Sequence, residues 1–235
     1  AEHWLKGQDA SAQQKQGLTA YLALDEAFMS IASRLHLIRE AKHSLDVQYY
    51  IWGDDFIGHM MLHELLNAAD RGVKVRLLID DQNGTALDET FKKFATQPNF
   101  EIKLFNPYKY RHLRVIDYAF RFNHINHRMH NKLIIADGAI AVTGGRNISS
   151  VFLNFWNDDL SYTIPQLVGR GTKEELAQLK QHYEADALDK NVIEQKIDLA
   201  RIQVDSELTK HPVNWAKAHF IADSPNKIRG EAKPD

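Results

Sequence analysis

Two apolar runs, Ser44–Trp52 (SLDVQYYIW) and Val73–Ile79 (VKVRLLI), constrain the fold of this chain more than any other feature. The first is rich in β-branched and aromatic residues, and each ends in acidic residues, the turn chemistry of Gly53-Asp54-Asp55 after the first and Asp80-Asp81 after the second. Between them Met61, Leu62, Leu65, Leu66 and Ala69 form one helical stripe that stops at Gly72. Strand, helix, strand in that order requires a parallel crossover, because parallel neighbours cannot be joined by a tight turn.

The same alternation continues on both sides. Phe28, Ile31, Leu35 and Ile38 recur at helical spacing within Asp25–Lys42, with Asp25 and Glu26 placed to favour the helix start. A short helix is expected around Leu87–Ala95 and a strand over Phe100–Phe105. Strands over Lys132–Ala136 and Ala139–Thr143 flank Asp137-Gly138, a dipeptide suited to the positive backbone angles of a tight hairpin. The expected class is α/β, a mixed β-sheet sandwiched between helices with a helical C-terminal extension. In that extension Thr172 and Glu175 form a capping-box pattern, and Ile193, Ile197, Ala200 and Val204 mark a second helical face. Trp215–Ala222 (WAKAHFIA) reads as one more strand with no helix after it.

Composition bounds the function. With 235 residues, 44% hydrophobic and 26% charged, the chain can bury a substantial core. Lys+Arg 29 against Asp+Glu 31 gives a net charge of −2, so attraction to nucleic acid or anionic lipid has to be local. The absence of cysteine excludes disulfides, thiolate nucleophiles and cysteine-bound metals. The longest apolar stretch, Leu133–Val142, is too short to span a bilayer and is interrupted by Asp137 and Gly138. The polar start at Ala1 fits a processed or trimmed terminus better than an intact signal peptide.

Chemistry concentrates in Met129–Asn147, MHNKLIIADGAIAVTGGRN. In an extended strand, side chains two apart point the same way, so His130 and Lys132 are expected on one face while Leu133 and Ile135 take the other. An imidazole and an ammonium then share one small volume. Gly144 and Gly145, at the end of the following strand, let backbone N–H groups approach an anion closely. Singly, each residue has an ordinary reading: a structural histidine, a solvated lysine, a turn aspartate, a loop of glycines. Their joint spacing on strand, hairpin and strand points to phosphate transfer.

The spacing His130-x-Lys132-x4-Asp137-x6-Gly144-Gly145, with Asn147 beyond it, resembles the defining motif of the phospholipase D superfamily. AKHSLDVQYYIWGDD, LLNAADRGVKVRLLIDD and IKLFNPY are similar to the amino-terminal half of bacterial cardiolipin synthase-like members, over about residues 25–160. The resemblance implies the phospholipase D-like α-β-α fold and a two-step phosphodiester exchange through phosphohistidine, with no cofactor and no metal. It implies that His130 is nucleophile or general acid, that Lys132 and Asn147 bind phosphate oxygens, and that Asp137 supports the motif histidine or the local fold. Asp158 and Asp159 are candidates for the family's acidic residue beyond the asparagine, and Tyr49 and Trp52 for the pocket wall. After GGRN the chain continues Ile148-Ser149-Ser150-Val151-Phe152, where the family favours a glycine and acidic pair before an aromatic.

One motif is half of what this chemistry needs. The second histidine is expected either from a second repeat in a longer chain or from a partner copy across a two-fold axis. WAKAHFIADSPNKI resembles the first strand of that second repeat, which gives expected boundaries of 20–190 for the phospholipase D-like domain and 191–235 for a helix plus a truncated repeat. The stretch Lys103–Lys132 holds seven lysines and arginines interleaved with Tyr108, Tyr110, Phe120 and Phe122. That pattern fits a nucleic-acid channel, and equally an interfacial site for anionic phospholipid. Net charge and the resemblance favour lipid. The expected partners are therefore a phospholipid substrate, the second motif and a membrane surface, with peripheral attachment to the cytoplasmic membrane of a bacterial envelope; nucleic acid ranks lower. A phospholipase D-type nuclease and a non-catalytic phosphate-binding half remain as alternatives. His124, His127 and His130 would share a face only in a helix, so zinc is not expected.

Overall fold

The computed structural model describes residues 15–24, 27–149, 195, 198 and 214–218. Its elements are β1 (Thr19–Tyr21), α1 (Ala27–Glu40), β2 (Ser44–Tyr49), α2 (Phe56–Asp70), β3 (Lys74–Asp80), α3 (Asp88–Phe94), β4 (Phe100–Phe105), α4 (Arg114–Ile125), β5 (Lys132–Ala136), β6 (Ile140–Thr143) and β7 (Asn214–Ala216). Five strands form one mixed sheet in the order β4-β3-β2-β5-β6. β2, β3 and β4 are mutually parallel, while β5 runs antiparallel to both β2 and β6.

Alternation decides which face of the sheet is core. Leu45, Val47 and Tyr49 of β2 are buried and pair across the sheet with Ala136, Ile134 and Lys132 of β5. Val75, Leu77 and Ile79 of β3 continue the same face, and Phe100 joins it from β4. Ile31, Leu35 and Ile38 of α1 and Met61, Leu62 and Leu65 of α2 close over it, with Phe91 of α3 at its edge. Each of these large side chains contributes about 1.5–3 kcal/mol when fully withdrawn from water, so this layer carries most of the fold's stability.

The helix ends are chemically specified. Asp55 caps α2 by accepting the Gly58 N–H at 3.0 Å. At the other end Gly72 takes φ 93° and Val73 donates to the Ala68 carbonyl at 3.1 Å, which turns the chain directly into β3. Between β5 and β6, Asp137 and Gly138 take φ 54° and 65°, the paired positive angles of the expected tight hairpin.

Three expectations need adjustment. The first strand stops at Tyr49; Trp52 rejoins only through a parallel bridge to Ile148. The terminal strand is Asn214–Ala216, and its partner, antiparallel, is β1, which the sequence pattern did not reveal. α4 was likewise unexpected. The capping box at Thr172 lies outside the described residues, as do most of the expected C-terminal helix and everything after residue 218. Among the described residues no helix is long and apolar enough to cross a membrane.

Candidate active site

Because β2, β3 and β4 are parallel, their carboxyl ends lie at one edge of the sheet, the edge where α/β proteins place ligands. β5 is antiparallel and begins there: its first residue, Lys132, pairs with Tyr49 at the end of β2. The chain reaches this point from β4 through α4, whose Arg114 donates to carbonyls just past the end of β3. Asp80 ties that approach down. Its fully buried carboxylate accepts the Met129 N–H at 2.7 Å and the Arg128 Nη1 donor at 2.9 Å. Asp81, equally buried, accepts the Tyr108 N–H at 2.8 Å and pairs with Arg111. Two consecutive aspartates thus clamp both ends of the segment that delivers His130.

His130 itself precedes the strand and is exposed, whereas Lys132 is 3% exposed on the core face of the sheet. The shared neighbour is Tyr50. Its ring lies 4.9 Å from the His130 ring, tilted by 57°, and the Lys132 ammonium stands 5.3 Å from its centroid. Lys132 Nζ donates to the His130 carbonyl at 2.9 Å. That accounts for one of three ammonium donors, and among the described residues no carboxylate pairs with it. Burial lowers its pKa from the ordinary lysine value, with no neighbouring charge opposing the shift. Arg34 is a useful contrast. It too is buried without a carboxylate among the described residues, but Tyr49 Oη, the Ser30 carbonyl and Ser30 Oγ absorb its guanidinium.

Asn147 is buried and accepts the Ile51 N–H through Oδ1 at 3.1 Å. Only an oxygen can take that proton, so the side chain's NH₂ group is what it has to offer a ligand. The loop is held to the segment after β2 by Gly53 N–H to Ile148 O at 2.6 Å, and to the cap of α2 by Ser149 Oγ to Asp55 at 2.6 Å. Gly144 holds φ 153°, a backbone region that disfavours side chains, and a Cβ at either Gly144 or Gly145 would meet open space. The β6 exit therefore leaves room beside the backbone.

Two expected site residues stand elsewhere. Asp137 sits at the opposite end of β5 from His130 and Lys132. Its carboxylate gathers the backbone N–H groups of His43, Ser44 and Lys42 at 2.7, 3.0 and 3.0 Å, fixing the entry into β2. Burial raises its pKa, but those three donors outweigh that, and the net shift is downward. Tyr49 is fully buried, its hydroxyl accepting from Arg34 Nε at 2.8 Å and its ring edge-on to Trp52 at 5.5 Å. It packs the core; burial pushes its pKa up. The aromatic at the site is its neighbour Tyr50. Asp158 and Asp159 lie outside the described residues. Among the described residues, no three His, Asp or Glu side chains converge as a metal site.

The family model described as "Cardiolipin synthase, PLD-like domain" matches residues 35–162, more than half of the chain, a span that includes His130, Lys132 and Asn147. The chain belongs to the cardiolipin synthase, phospholipase D-like family. Cardiolipin synthase C of Escherichia coli (strain K12) is 32% identical over 94% of this chain and 53% of that protein. An uncharacterized protein of Helicobacter pylori (strain ATCC 700392 / 26695) is 33% identical over 89% of this chain and 48% of its own length. The chain thus spans about half the length of these curated relatives. The structure of phosphatidylserine synthase from Haemophilus influenzae Rd KW20 overlaps with a TM-score of 0.44 at 17% identity, covering 88% of this chain and 50% of that one.

The basic stretch reads differently for this phospholipase D-like chain once its partners are known. Arg111 is taken by Asp81 and Asp88, Arg121 by Asp117 and Arg128 by Asp80, while Arg114 donates to the carbonyls of Asp81 and Gln82 at 2.7 and 3.2 Å. Arg114 and Arg128 each lie 4.5 Å from the Tyr108 ring centroid. Tyr108 is pushed up to about 12 by burial, with its bond to Tyr118 adding to the shift. Four of the seven cations are structural, and three of those are neutralised by carboxylates, which leaves less charge for a nucleic-acid channel to draw on.

Proposed function

We propose that this chain supplies one half of a phosphatidyl-transfer centre that exchanges the alcohol of a phospholipid, such as phosphatidylglycerol, through a phosphohistidine. The observation that carries the reading is Lys132, a buried ammonium with no carboxylate partner among the described residues, beside an exposed imidazole. A buried charge is costly unless it is compensated, and a phosphodiester oxygen is the compensation that fits here. Asn147 Nδ2 and the open backbone at Gly144 and Gly145 complete the donors around that oxygen.

In this account an imidazole nitrogen attacks phosphorus, forming a P–N bond as the P–O bond to the leaving alcohol breaks. The imidazole of a second motif gives the departing oxygen its proton. The acceptor alcohol then returns a proton to that second imidazole while its oxygen attacks phosphorus and breaks the P–N bond. With water as acceptor the outcome is hydrolysis. His130 serves as nucleophile or as general acid. Lys132 and Asn147 stabilise charge on the non-bridging oxygens, each donor contributing about 10²- to 10³-fold in rate. Asp137 acts only through the fold. The second motif comes from a second repeat of a longer protein, which agrees with the half-length match to the relatives, or from a partner copy. Work on lipid implies attachment at the periphery of the bacterial cytoplasmic membrane.

The test is turnover of phosphatidylglycerol vesicles in the presence of an alcohol acceptor, measured across size-exclusion fractions with and without the remaining half of a relative such as Cardiolipin synthase C. Activity that depends on a dimer or on the added half, and disappears in His130→Ala, supports the proposal. Turnover that survives His130→Ala refutes it. Cleavage of DNA without lipid turnover would put the nuclease reading in its place.

A further inference from the structure

α4 is built inside out. Arg114, Asp117 and Arg121, at spacings of three and four, turn toward the body of the protein. Asp117 is fully buried and accepts the Tyr110 N–H at 2.7 Å and Arg121 Nη1 at 2.8 Å, while Arg114 reaches the end of β3. Val115, Tyr118 and Phe122, at the same spacing on the other side, are 71%, 44% and 54% exposed. Leu113 at the helix start is 60% exposed and Phe120, just before a break from helical geometry at Arg121, is 83% exposed. A helix on a water-soluble surface shows the opposite distribution, apolar inward and polar outward. So large a set of adjacent exposed apolar side chains marks a surface meant to be covered.

We propose that α4 and the loop before it dock on an anionic phospholipid bilayer and seat the active site at its surface, an inference that rests on the lipid reading above. Charge selects this occupant. Asp117 is the only carboxylate between Ile102 and Ala136, and it is buried. Lys103 and Lys109 are exposed, so the exposed ionic groups that this stretch itself offers are cationic. Tyr110 and Tyr118 supply amphipathic rings suited to the headgroup level, around aliphatic and phenyl groups suited to the acyl boundary. The patch is also coupled to the chemistry. α4 ends at the buried Ile125, whose carbonyl accepts from Arg128 Nε at 2.6 Å, and Asp80 fixes Arg128 and Met129 immediately before His130. The depth at which α4 sits therefore sets the height of the imidazole above the lipid phosphates.

Because the chain has no cysteine, Phe120→Cys gives a single site for an environment-sensitive fluorophore. The expected result is a blue shift on vesicles of phosphatidylcholine with phosphatidylglycerol, several-fold weaker on phosphatidylcholine alone, and quenching by lipids brominated on their acyl chains. The same probe at Lys92→Cys, on the exposed face of α3, stays silent. In the unlabelled chain, Val115→Ser with Phe120→Ser lowers vesicle co-sedimentation at least tenfold while phosphate binding at His130 is unchanged. A probe at position 120 that no vesicle affects overturns the proposal. So does one that is shielded in a protein-concentration-dependent way without vesicles, which assigns the face to a second copy. Loss of phosphate binding with vesicle insertion intact would instead remove the transfer reading and leave the docking face standing.

Discussion

Asp80 accepts the backbone N–H of Met129 at 2.7 Å, so the residue before the candidate catalytic histidine is held by the end of a strand two positions away in the sheet. The position of His130 is thereby a property of the β3 carboxyl end as much as of the strand it precedes. Removing that acceptor leaves a buried N–H and the Arg128 guanidinium without their partner. Asp80→Ala is expected to cost about 3–5 kcal/mol in urea unfolding. Asp80→Asn, which keeps one acceptor oxygen, is expected to cost about 1–3 kcal/mol and to lower turnover more than substrate affinity. A stability change under 1 kcal/mol for Asp80→Ala would mean that the clamp is not structural.

Lys132 gives a pH signature with two opposite parts. Its pKa is lowered by burial, so the folded protein releases this proton before the unfolded chain does, at about 10.4. Between those two values the unfolded state binds more protons, and stability rises with pH. Phosphate binding falls over the same window as the ammonium is lost. Calorimetric titrations on the alkaline side, set against unfolding midpoints at the same pH values, check both signs. Lys132→Gln abolishes both trends.

Tyr50 touches both members of the pair. A cation over an aromatic face contributes about 0.5–2 kcal/mol, or roughly 2- to 30-fold in an equilibrium. Tyr50→Leu is expected to weaken phosphate affinity within that range, and Tyr50→Phe to stay within about twofold. Isothermal titration with inorganic phosphate distinguishes the two, and equal losses would assign the role to the hydroxyl.

Asp137 separates fold from chemistry. Its pKa is lowered on balance, burial working upward and the N–H groups of Ser44, Lys42 and His43 downward. A depressed carboxylate contributes stability that is present above the unfolded value of about 3.9 and is lost as pH falls through the folded value. Asp137→Asn is expected to lower stability at neutral pH, to flatten the acid limb of the pH–stability curve, and to leave phosphate binding at the far end of β5 unchanged.

The strands were legible because their alternation and turn residues agree with one another. Lys132–Ala136, Phe100–Phe105 and the Asp137-Gly138 hairpin appear where the pattern sets them. The motif also pointed to His130, Lys132, Asp137, Gly144, Gly145 and Asn147, of which the fold brings His130 and Lys132 together beside Tyr50 and sets Asp137 at the far end of β5. What it could not convey was register. Tyr49 is the register partner of Lys132, on a strand more than eighty residues away, yet Arg34 and Trp52 take up its hydroxyl and ring, and the ring beside both His130 and Lys132 is that of Tyr50, which alternation along β2 does not foretell. α4 escaped for a different reason. Its apolar face points outward and its polar face inward, so its residues read as a basic, aromatic stretch. The destination of those arginines, into Asp80, Asp81, Asp88 and Asp117, is a tertiary fact that composition does not carry.

The most direct measurement follows the ring nitrogens of His130 by ¹⁵N NMR during titration with inorganic phosphate, in the natural sequence and in Lys132→Met. A saturable shift of the His130 resonances that weakens at least tenfold in Lys132→Met is the predicted result, since imidazole and ammonium act on one anion. Resonances of His130 that ignore phosphate, or that respond equally with and without the ammonium, would contradict the shared site.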